Sequence, residues 1–352
     1  PRVPRSVADL ARRLPLDRKV AQMFLIGFRG QTLTSPVFTS QLRRQDFGGI
    51  VISNRNYQNP QQLAQLAGEA VVISQQERHV PPLIMAAQEG GDFSEFPDLP
   101  PAAAPADQGS PRRAAASARQ TGASLRALGV NGIFAPSLDV TTEDGTGVFE
   151  GQAYSDDPRR VSAYAAATVP AYRRARVLAA AKHFPGIGAA TGSPDDAPAQ
   201  VGLTTEELLQ RDLLPFRTAI RARVPAIVVG HASYDADDFV TPASLSKAVT
   251  TGLLRERLRF KGVAITDDLA AGAVAAVASA PDAAIQAVKA GADMVYISGP
   301  RGDQEAALNA VLNAARRGDI SRRRIDEAVA RILVAKRGAG LITRKGRGTG
   351  GG

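Results

Sequence analysis

Short apolar runs recur along this chain between longer amphipathic segments. Two helical segments carry clear start signals: Thr204 and Glu207 form a capping-box pattern ahead of a helix predicted over 208–223, and Ser321 can cap a helix over 322–336. The apolar runs are typical of strands buried on both faces. Eight such runs occupy residues 21–27, 49–53, 83–88, 132–140, 177–183, 226–231, 262–267 and 293–298.

Regular alternation of strand and helix predicts the fold class. Strands that are separated by helices pair in parallel, and eight such units in 352 residues fit one closed barrel better than two open sheets. We therefore predict an α/β protein with a single (β/α)8 TIM barrel domain over residues 1–342. The Gly- and Arg-rich tail, residues 343–352, is predicted to be disordered.

The composition narrows the classes of partner. The formal net charge is +9, but the basic residues are spread over several predicted helices, for example at 173–174 and 322–324, which favours a solvated basic surface over a dedicated anion-binding face. No zinc-finger spacing or RNA-recognition motif occurs, so no nucleic-acid partner is predicted. The chain has no cysteine, which excludes disulfides and thiolate catalysis.

Two further observations concern location. The longest uncharged apolar stretch, 269–280, is well short of the roughly 20 residues that cross a bilayer, so no membrane span is predicted. The chain begins with Pro1 rather than Met, and we expect an upstream leader. A secreted or cell-surface location is the expectation, with a cytoplasmic one as the alternative.

The segment 182–186, Lys-His-Phe-Pro-Gly, places a cation and an imidazole at the end of an apolar run, where a βα-barrel builds its active site. Six other motifs accompany it in order. With it, they resemble the β-N-acetylhexosaminidases of the family 3 glycoside hydrolases over about 17–341. The six are 48–53 (Gly-Gly-Ile-Val-Ile-Ser), 88–91 (Gln-Glu-Gly-Gly), 134–140 (Phe-Ala-Pro-Ser-Leu-Asp-Val), 155–158 (Ser-Asp-Asp-Pro), 231–234 (His-Ala-Ser-Tyr) and 265–269 (Ile-Thr-Asp-Asp-Leu).

This resemblance implies a retaining enzyme that hydrolyses O-glycosyl bonds and acts on a carbohydrate, cell-wall glycan included, without a cofactor or metal. It implies that Asp267 is the nucleophile and that Lys182 and His183 bind sugar hydroxyls. The expected neighbours at the same C-terminal mouth, also predicted to bind substrate, are Glu89, Asp139 and His231.

Strand geometry supports the role of Asp267. This residue closes an apolar strand and is expected to project into the barrel mouth, while Asp268 points elsewhere because strand side chains alternate. The alternative is that Asp267 only caps the following helix. By the same alternation, Lys182 and His183 are not expected to face the barrel interior together, which argues against a buried structural pair.

The acid/base position departs from the family pattern. The hexosaminidases supply an Asp-His dyad from the loop after strand five, but the positions of that Asp and His fall here on Ser193 and Asp195. The three histidines, at 79, 183 and 231, all lie elsewhere. Asp195 or Asp196 can replace the missing histidine if burial near a second carboxylate raises the pKa of its carboxyl group. The positions that correspond to substrate-contacting residues of the family also differ from its pattern; they are occupied here by Ala87, Asp92, Glu95 and Gln152.

Two alternatives remain open from the sequence. The protein could be a catalytically silent barrel that binds glycan or a protein partner, because the dyad and the sugar contacts are lost together. It could also be a barrel enzyme for a phosphate ligand, because residues 299–302 (Gly-Pro-Arg-Gly) follow strand eight, where barrels often hold phosphate. No particular oligomeric state is predicted, and a monomer is compatible with the sequence.

Overall fold

Eight parallel strands close into one barrel, in the order in which they occur in the chain. The computed structural model describes residues 4–32, 36–142, 149, 151–237 and 239–342; the tail predicted to be disordered lies outside these residues. The barrel closes where β1 pairs with β8, with Phe24 opposite Val295. The predicted (β/α)8 TIM barrel is confirmed. Its strands are β1 Phe24–Ile26, β2 Gly49–Val51, β3 Leu83–Ala86, β4 Gly132–Ile133, β5 Leu178–Phe184, β6 Ala226–Val229, β7 Val263–Asp268 and β8 Met294–Ile297.

Helices pack around the outside of the barrel. They are α1 Arg5–Arg13, α2 Leu16–Ala21, α3 Pro36–Arg44, α4 Pro60–Gln76, α5 Pro111–Ala127, α6 Pro158–Arg174, α7 Thr205–Gln210, α8 Leu213–Arg221, α9 Gly272–Ala275, α10 Ala280–Ala290, α11 Arg301–Arg317 and α12 Arg322–Gly338, with a π-helix at Ala248–Arg257 between β6 and β7. In the described part of the chain, none of them combines the length and apolarity that a bilayer crossing requires.

The helix predicted over 208–223 is two helices. The capping box of Thr204 and Glu207 is present and starts α7, but α7 ends at Gln210 and α8 begins at Leu213. Pro215 explains the break, because its ring has no N–H and would clash with the carbonyl of Arg211 four residues earlier in a continuous helix. In the observed structure Pro215 lies in the first turn of α8, where proline is tolerated. The helix predicted after Ser321 is confirmed as α12, and the Ser321 side chain accepts a hydrogen bond from the Arg324 amide.

Six of the eight strands are shorter than predicted, most clearly β4, whereas β5 and β7 have the predicted length and begin one residue later. Residues 132–140 were expected to form one strand, but regular pairing stops after Ile133. Pro136 has no amide proton to continue the ladder, and pairing resumes only as an isolated bridge between Ser137 and Lys182. This irregular segment carries the chain to the C-terminal mouth of the barrel.

A buried polar cluster lies at the opposite, N-terminal end. Gln22 precedes β1, and its side-chain amide donates to the carbonyl and carboxylate oxygens of Asp46 at 2.6 and 2.9 Å. The ammonium group of Lys336 on α12 donates to Oε1 of Gln22 at 2.7 Å and is fully buried. Burial lowers the pKa of Lys336 to about 7, although the carboxylate of Asp46 opposes this shift.

Candidate active site

Lys182 and His183 close β5, and both line one cavity at the C-terminal mouth of the barrel. The expectation that two adjacent strand residues cannot both face inwards is therefore wrong here. The pairing register between β5 and β6 shifts between Ala181 and Phe184, so the regular alternation of side chains does not hold at the end of the strand. The Lys182–His183 peptide bond is cis.

Glu89 lies behind Lys182 rather than at the cavity surface. Its Oε2 is 2.6 Å from the ammonium nitrogen of Lys182 and accepts a hydrogen bond from Gln152 at 2.9 Å, while its Oε1 accepts one from the amide of Ser137 at 3.0 Å. The carboxylate of Glu89 is buried and engaged by internal donors, and its predicted substrate-binding role stays a prediction. Burial alone would lower the pKa of Lys182, but the charge of Glu89 and their hydrogen bond raise it. Glu89 thus holds Lys182 as a cation.

Asp139 stands in the same relation to His183. It is fully buried, its Oδ2 lies 2.7 Å from Nδ1 of His183, and its Oδ1 accepts a hydrogen bond from the amide of Ile187 at 2.9 Å. The predicted substrate-binding role of Asp139 likewise stays a prediction. Burial alone would raise the pKa of Asp139, but the charge of His183 and three hydrogen bonds lower it overall. Burial alone would lower the pKa of His183, but Asp139 and then Asp267 raise it. His183 is therefore biased towards the imidazolium form.

Asp267, in β7, faces the cavity as predicted. Its side chain is 28% exposed, and its Oδ2 lies 3.6 Å from Nε2 of His183. Asp268 points elsewhere, also as predicted: its Oδ1 accepts hydrogen bonds from the amides of Ala270 at 3.0 Å and Ser298 at 2.9 Å. The helix-capping alternative for Asp267 has no support at α9, because the N-cap of this helix is Ala271 and carries no side-chain cap hydrogen bond.

His231 lines the cavity but has both ring nitrogens engaged within the protein. Nε2 donates to the carbonyl oxygen of Asp268 at 2.9 Å, and Nδ1 lies 2.8 Å from the hydroxyl of Ser244. A carbonyl can only accept, so Nε2 carries the proton and Nδ1 accepts from Ser244 in the neutral ring. No ring nitrogen of His231 is free for a ligand, and its predicted substrate contact is limited to packing. His79 precedes β3 and so belongs to the opposite end of the barrel.

The structure separates the two candidates for the acid/base. Asp195 lines the cavity, whereas Asp196 is exposed and is not among the residues that form it. The loop that carries Asp195 is fastened to α9, since the carbonyl oxygens of Pro194 and Asp195 accept hydrogen bonds from Ala273 and Gly272 at 3.0 and 2.7 Å. Asp195 is solvent-exposed as a residue, yet partial burial on the cavity side and the nearby charge of Asp267 raise the pKa of its carboxyl group.

The cavity has a volume of about 250 Å³ and an unusual set of polar walls. Glu95, from the Pro-rich loop after β3, and Gln152 face it at two positions where the family resemblance leads one to expect arginine, and Ala87 faces it where an aspartate is expected. Oε2 of Glu95 accepts a hydrogen bond from the Asn54 amide at 2.6 Å. Burial raises the pKa of Glu95, although this hydrogen bond and the charge of Lys182 oppose the shift. Three carboxylates, those of Glu95, Asp195 and Asp267, therefore line the cavity.

Aromatic walls were not foreseen from the sequence. Phe134 and Tyr296 line the cavity with their rings stacked, 5.9 Å between centroids. Phe149 also lines it and lies beside His183, with 6.1 Å between ring centroids. Two of these aromatic residues could have been predicted, because Phe134 and Tyr296 belong to predicted strands that end at the mouth of the barrel. Flat apolar rings of this kind suit the faces of a sugar.

The phosphate alternative has little support in the structure. Arg301 starts α11, and its guanidinium group lies 2.7 Å from the carboxylate of Glu305 one turn later. The charge of Arg301 is thereby paired within the helix. Within the described ranges, no three His, Asp or Glu side chains are grouped as a metal ion would require.

Comparison with known proteins agrees with this geometry. The sequence model of the glycosyl hydrolase family 3 N-terminal domain matches residues 15–335. An uncharacterised secreted glycosyl hydrolase of Arthroderma benhamiae is 36% identical over 259 residues, 72% of this chain and 73% of that protein. A β-hexosaminidase of Methylococcus capsulatus is 35% identical over 260 residues, 71% of this chain and 75% of that protein.

A solved structure is similar as well. The family 3 β-N-acetylglucosaminidase of Paenibacillus sp. str. FPU-7 superposes with a TM-score of 0.89 at 34% identity, over 93% of this chain. The present chain covers 63% of the length of that structure's chain. With the family model matching most of its length, this chain belongs to glycosyl hydrolase family 3 and is related to the β-hexosaminidases of that family.

Proposed function

We propose that this protein is a retaining glycosidase in which Asp267 is the nucleophile and Asp195 is the acid/base. The observation that carries the proposal is that these two carboxyl groups line one cavity, with the pKa of Asp195 raised by burial and by Asp267. A pKa raised towards neutrality is what a carboxyl group needs if it is to hold a proton and give it to a leaving group.

The proposed reaction has two steps. In the first, an Oδ atom of Asp267 attacks the anomeric carbon, and the carboxyl proton of Asp195 passes to the departing glycosidic oxygen as that bond breaks. In the second, the Asp195 carboxylate takes a proton from water, whose oxygen attacks the anomeric carbon and releases Asp267. Configuration is retained because the carbon is inverted twice.

Lys182 and His183 are proposed to bind the sugar hydroxyls. Glu89 raises the pKa of Lys182, Asp139 raises that of His183, and each holds its partner in place, so they act as positioning residues. Nε2 of His183 lies 3.6 Å from Oδ2 of Asp267, so the ring and the carboxylate face the same part of the cavity. No metal or cofactor takes part in these steps.

The substrate is proposed to be a β-glycoside that differs from the simple N-acetylglucosaminides of the relatives. Ala87, Glu95 and Gln152 remove charged hydrogen-bonding partners from the cavity wall and leave a carboxylate where a cation is expected. Hydrogen bonds to charged groups contribute about 1.5–3 kcal/mol each. Their loss disfavours N-acetylglucosamine in the usual pose and favours a sugar that presents hydrogen-bond donors to Glu95.

Cell-wall glycan encountered after export is the proposed setting. One relative is named a secreted glycosyl hydrolase, and the basic surface of this chain suits anionic wall polymers. Fractionation of the producing cells with an antibody against the protein tests this setting: the proposal expects it in the envelope or medium, and exclusive recovery from the cytoplasm contradicts it.

Covalent labelling tests the chemistry. Wild-type protein is incubated with a panel of 2-fluoro β-glycosyl inactivators that carry an activated leaving group, and labelled peptides are identified by mass spectrometry. We expect a glycosyl adduct on Asp267, no adduct in Asp267→Ala, and labelling retained in Asp195→Asn because the leaving group departs without protonation.

The second candidate function is a silent barrel that binds glycan. Two observations keep it as the outcome to be tested against: both ring nitrogens of His231 are engaged within the protein, and His79 lies at the other end of the barrel, so neither offers the dyad histidine in the described cavity. If the panel leaves Asp267 unlabelled while glycan fragments bind and raise the melting temperature, the binding function replaces the enzymatic one.

A further inference from the structure

A second cavity, of about 500 Å³, lies at the N-terminal end of the barrel, opposite the catalytic mouth. It lies where β5, β6 and β7 begin, beside α6, α8 and α12; we call it the basal cavity. No carboxylate is among its lining residues in the described part of the chain. Six cationic side chains line it: Arg173, Arg176, Arg223, Arg259, Lys261 and Arg331.

The basal cavity also has an apolar floor. Val177, Val224 and Phe260 line it and are buried, with 3–4% of their surface exposed. Val334 on α12 completes the wall and is 40% exposed, which is high for a large aliphatic side chain. The floor offers contact to an apolar group, and the rim offers positive charge.

Three of the rim arginines occupy the same unusual backbone position. Arg176, Arg223 and Arg259 each come two residues after a helix and just before or close to the next strand, with φ values of 56°, 65° and 53°. Glycine or asparagine is the usual choice in this left-handed conformation. A cation at a helix C-terminus is favoured by the helix dipole, but that does not explain why these arginines surround an apolar concavity. Arg78 has the same conformation after α4 and does not line the basal cavity.

Most of the rim charge is not neutralised by the protein. Arg331 lies 2.9 Å from the buried carboxylate of Asp293, and Arg173 donates to the carbonyl of Ala222 at 2.8 Å. For the other four cations, no carboxylate of the described residues lies within ion-pair distance: Arg176, Arg223, Arg259 and Lys261. All four are exposed to solvent at the rim.

We propose that the basal cavity binds a small amphipathic anion, with its apolar body against Val224, Phe260 and Val334 and its anionic head between Arg223 and Arg259. The volume lies within the range of small-molecule sites, about 300–1,000 Å³. An anionic polymer would need only a charged surface, whereas this site combines charge with a buried apolar floor. The ligand class is therefore a single-chain or ring compound that carries a carboxylate, sulfate or phosphate group.

Calorimetric titration of the full chain with decanoate, kept below its micelle concentration, tests this site. We expect one-site binding of decanoate, much weaker binding of the uncharged 1-decanol, and no measurable binding of inorganic phosphate. The double variant Arg223→Asn/Arg259→Asn removes two charges while asparagine tolerates the left-handed backbone, and should weaken decanoate binding at least about tenfold. Arg78→Asn is the matched control and should leave binding unchanged.

Several results would overturn the proposal. Equal binding of decanoate and decanol would show that the rim charges play no part, and unchanged binding by the double variant would place the ligand elsewhere. Binding to phosphatidylglycerol vesicles without binding of soluble decanoate would assign this face to a membrane surface. In any of these cases, the positive backbone φ angles of the rim arginines would reflect helix termination alone.

Discussion

Nε2 of His183 lies 3.6 Å from Oδ2 of Asp267, while Nδ1 of the same ring lies 2.7 Å from Oδ2 of Asp139. One imidazole thus connects a fully buried carboxylate with the carboxylate that faces the cavity. Asp139 has no access to a ligand, but it sets the charge and orientation of the ring that does.

Asp139→Asn should move the alkaline limb of the pH profile of kcat/KM to lower pH and reduce its maximum at least about tenfold. Asp139 raises the pKa of His183, so loss of its charge lets the imidazolium lose its proton at a lower pH. Steady-state kinetics across pH on a nitrophenyl glycoside measure this, because its leaving group departs without a proton and deprotonation of Asp195 therefore does not set the limb. Ser137→Ala, which removes one hydrogen bond to Asp139 and keeps its charge, is the control; an unmoved limb in Asp139→Asn would contradict the argument.

Asp195→Asn should slow hydrolysis of unactivated glycosides by about 10²–10⁴-fold, the usual contribution of general acid catalysis, with much less effect on nitrophenyl glycosides. Nitrophenolate departs without a proton, so the first step needs no acid. Rates on paired substrates with the same sugar measure the difference. The exposed neighbour provides a matched control, since Asp196→Asn should behave as wild type; equal losses for both substrate types would remove Asp195 from the role of acid.

Wild-type protein should hydrolyse aryl N-acetyl-β-glucosaminides poorly, and Ala87→Asp/Glu95→Arg should raise kcat/KM for them at least about tenfold. The double variant restores a carboxylate and a cation to the cavity wall, and the arginine neutralises the added charge. Ala87→Asn/Glu95→Gln adds polar groups without charge and should gain little. Rapid wild-type turnover of unactivated N-acetylglucosaminides would show that these substitutions do not limit recognition.

Lys336→Met should stabilise the fold at pH 6, by an amount that shrinks as the pH rises to 9.5. The pKa of Lys336 is about 7 in the folded state and near 10.5 when unfolded. Between these values the unfolded chain binds a proton that the folded chain does not, so wild-type stability rises with pH by up to about 1.4 kcal/mol per unit. The variant lacks this rise.

Urea denaturation at several pH values measures the free energies of unfolding for this comparison. Lys289→Met, on the exposed face of α10, is the matched control for replacing a lysine by methionine. A constant difference between wild type and Lys336→Met would mean that Lys336 keeps its proton in the fold. Lys336→Met also loses the hydrogen bond to Gln22, which lowers the stability of the variant by about 1 kcal/mol at every pH.

The barrel, its eight strands and the end at which the site lies could all be predicted from the order of apolar and polar residues. Parallel strands buried on both faces require continuous apolar runs, and polar residues that end such runs must gather at one mouth, which placed Lys182, His183, His231 and Asp267 together. The opposite orientations of Asp267 and Asp268 followed from strand alternation alone. These features depend on local pattern, which a single chain displays directly.

Which polar residues reach the cavity depends on contacts between distant parts of the chain and could not be predicted from local pattern. Glu89 and Asp139 match motif positions as well as Lys182 does, but contacts across the barrel with Ser137, Gln152 and Ile187 consume their carboxylate oxygens. Asp195 and Asp196 are adjacent in sequence, but of the two only Asp195 lines the cavity, in the loop that is hydrogen-bonded to α9. The arginines of the basal cavity are dispersed along the sequence. They lie together in the structure because consecutive helices of the barrel end on the same face.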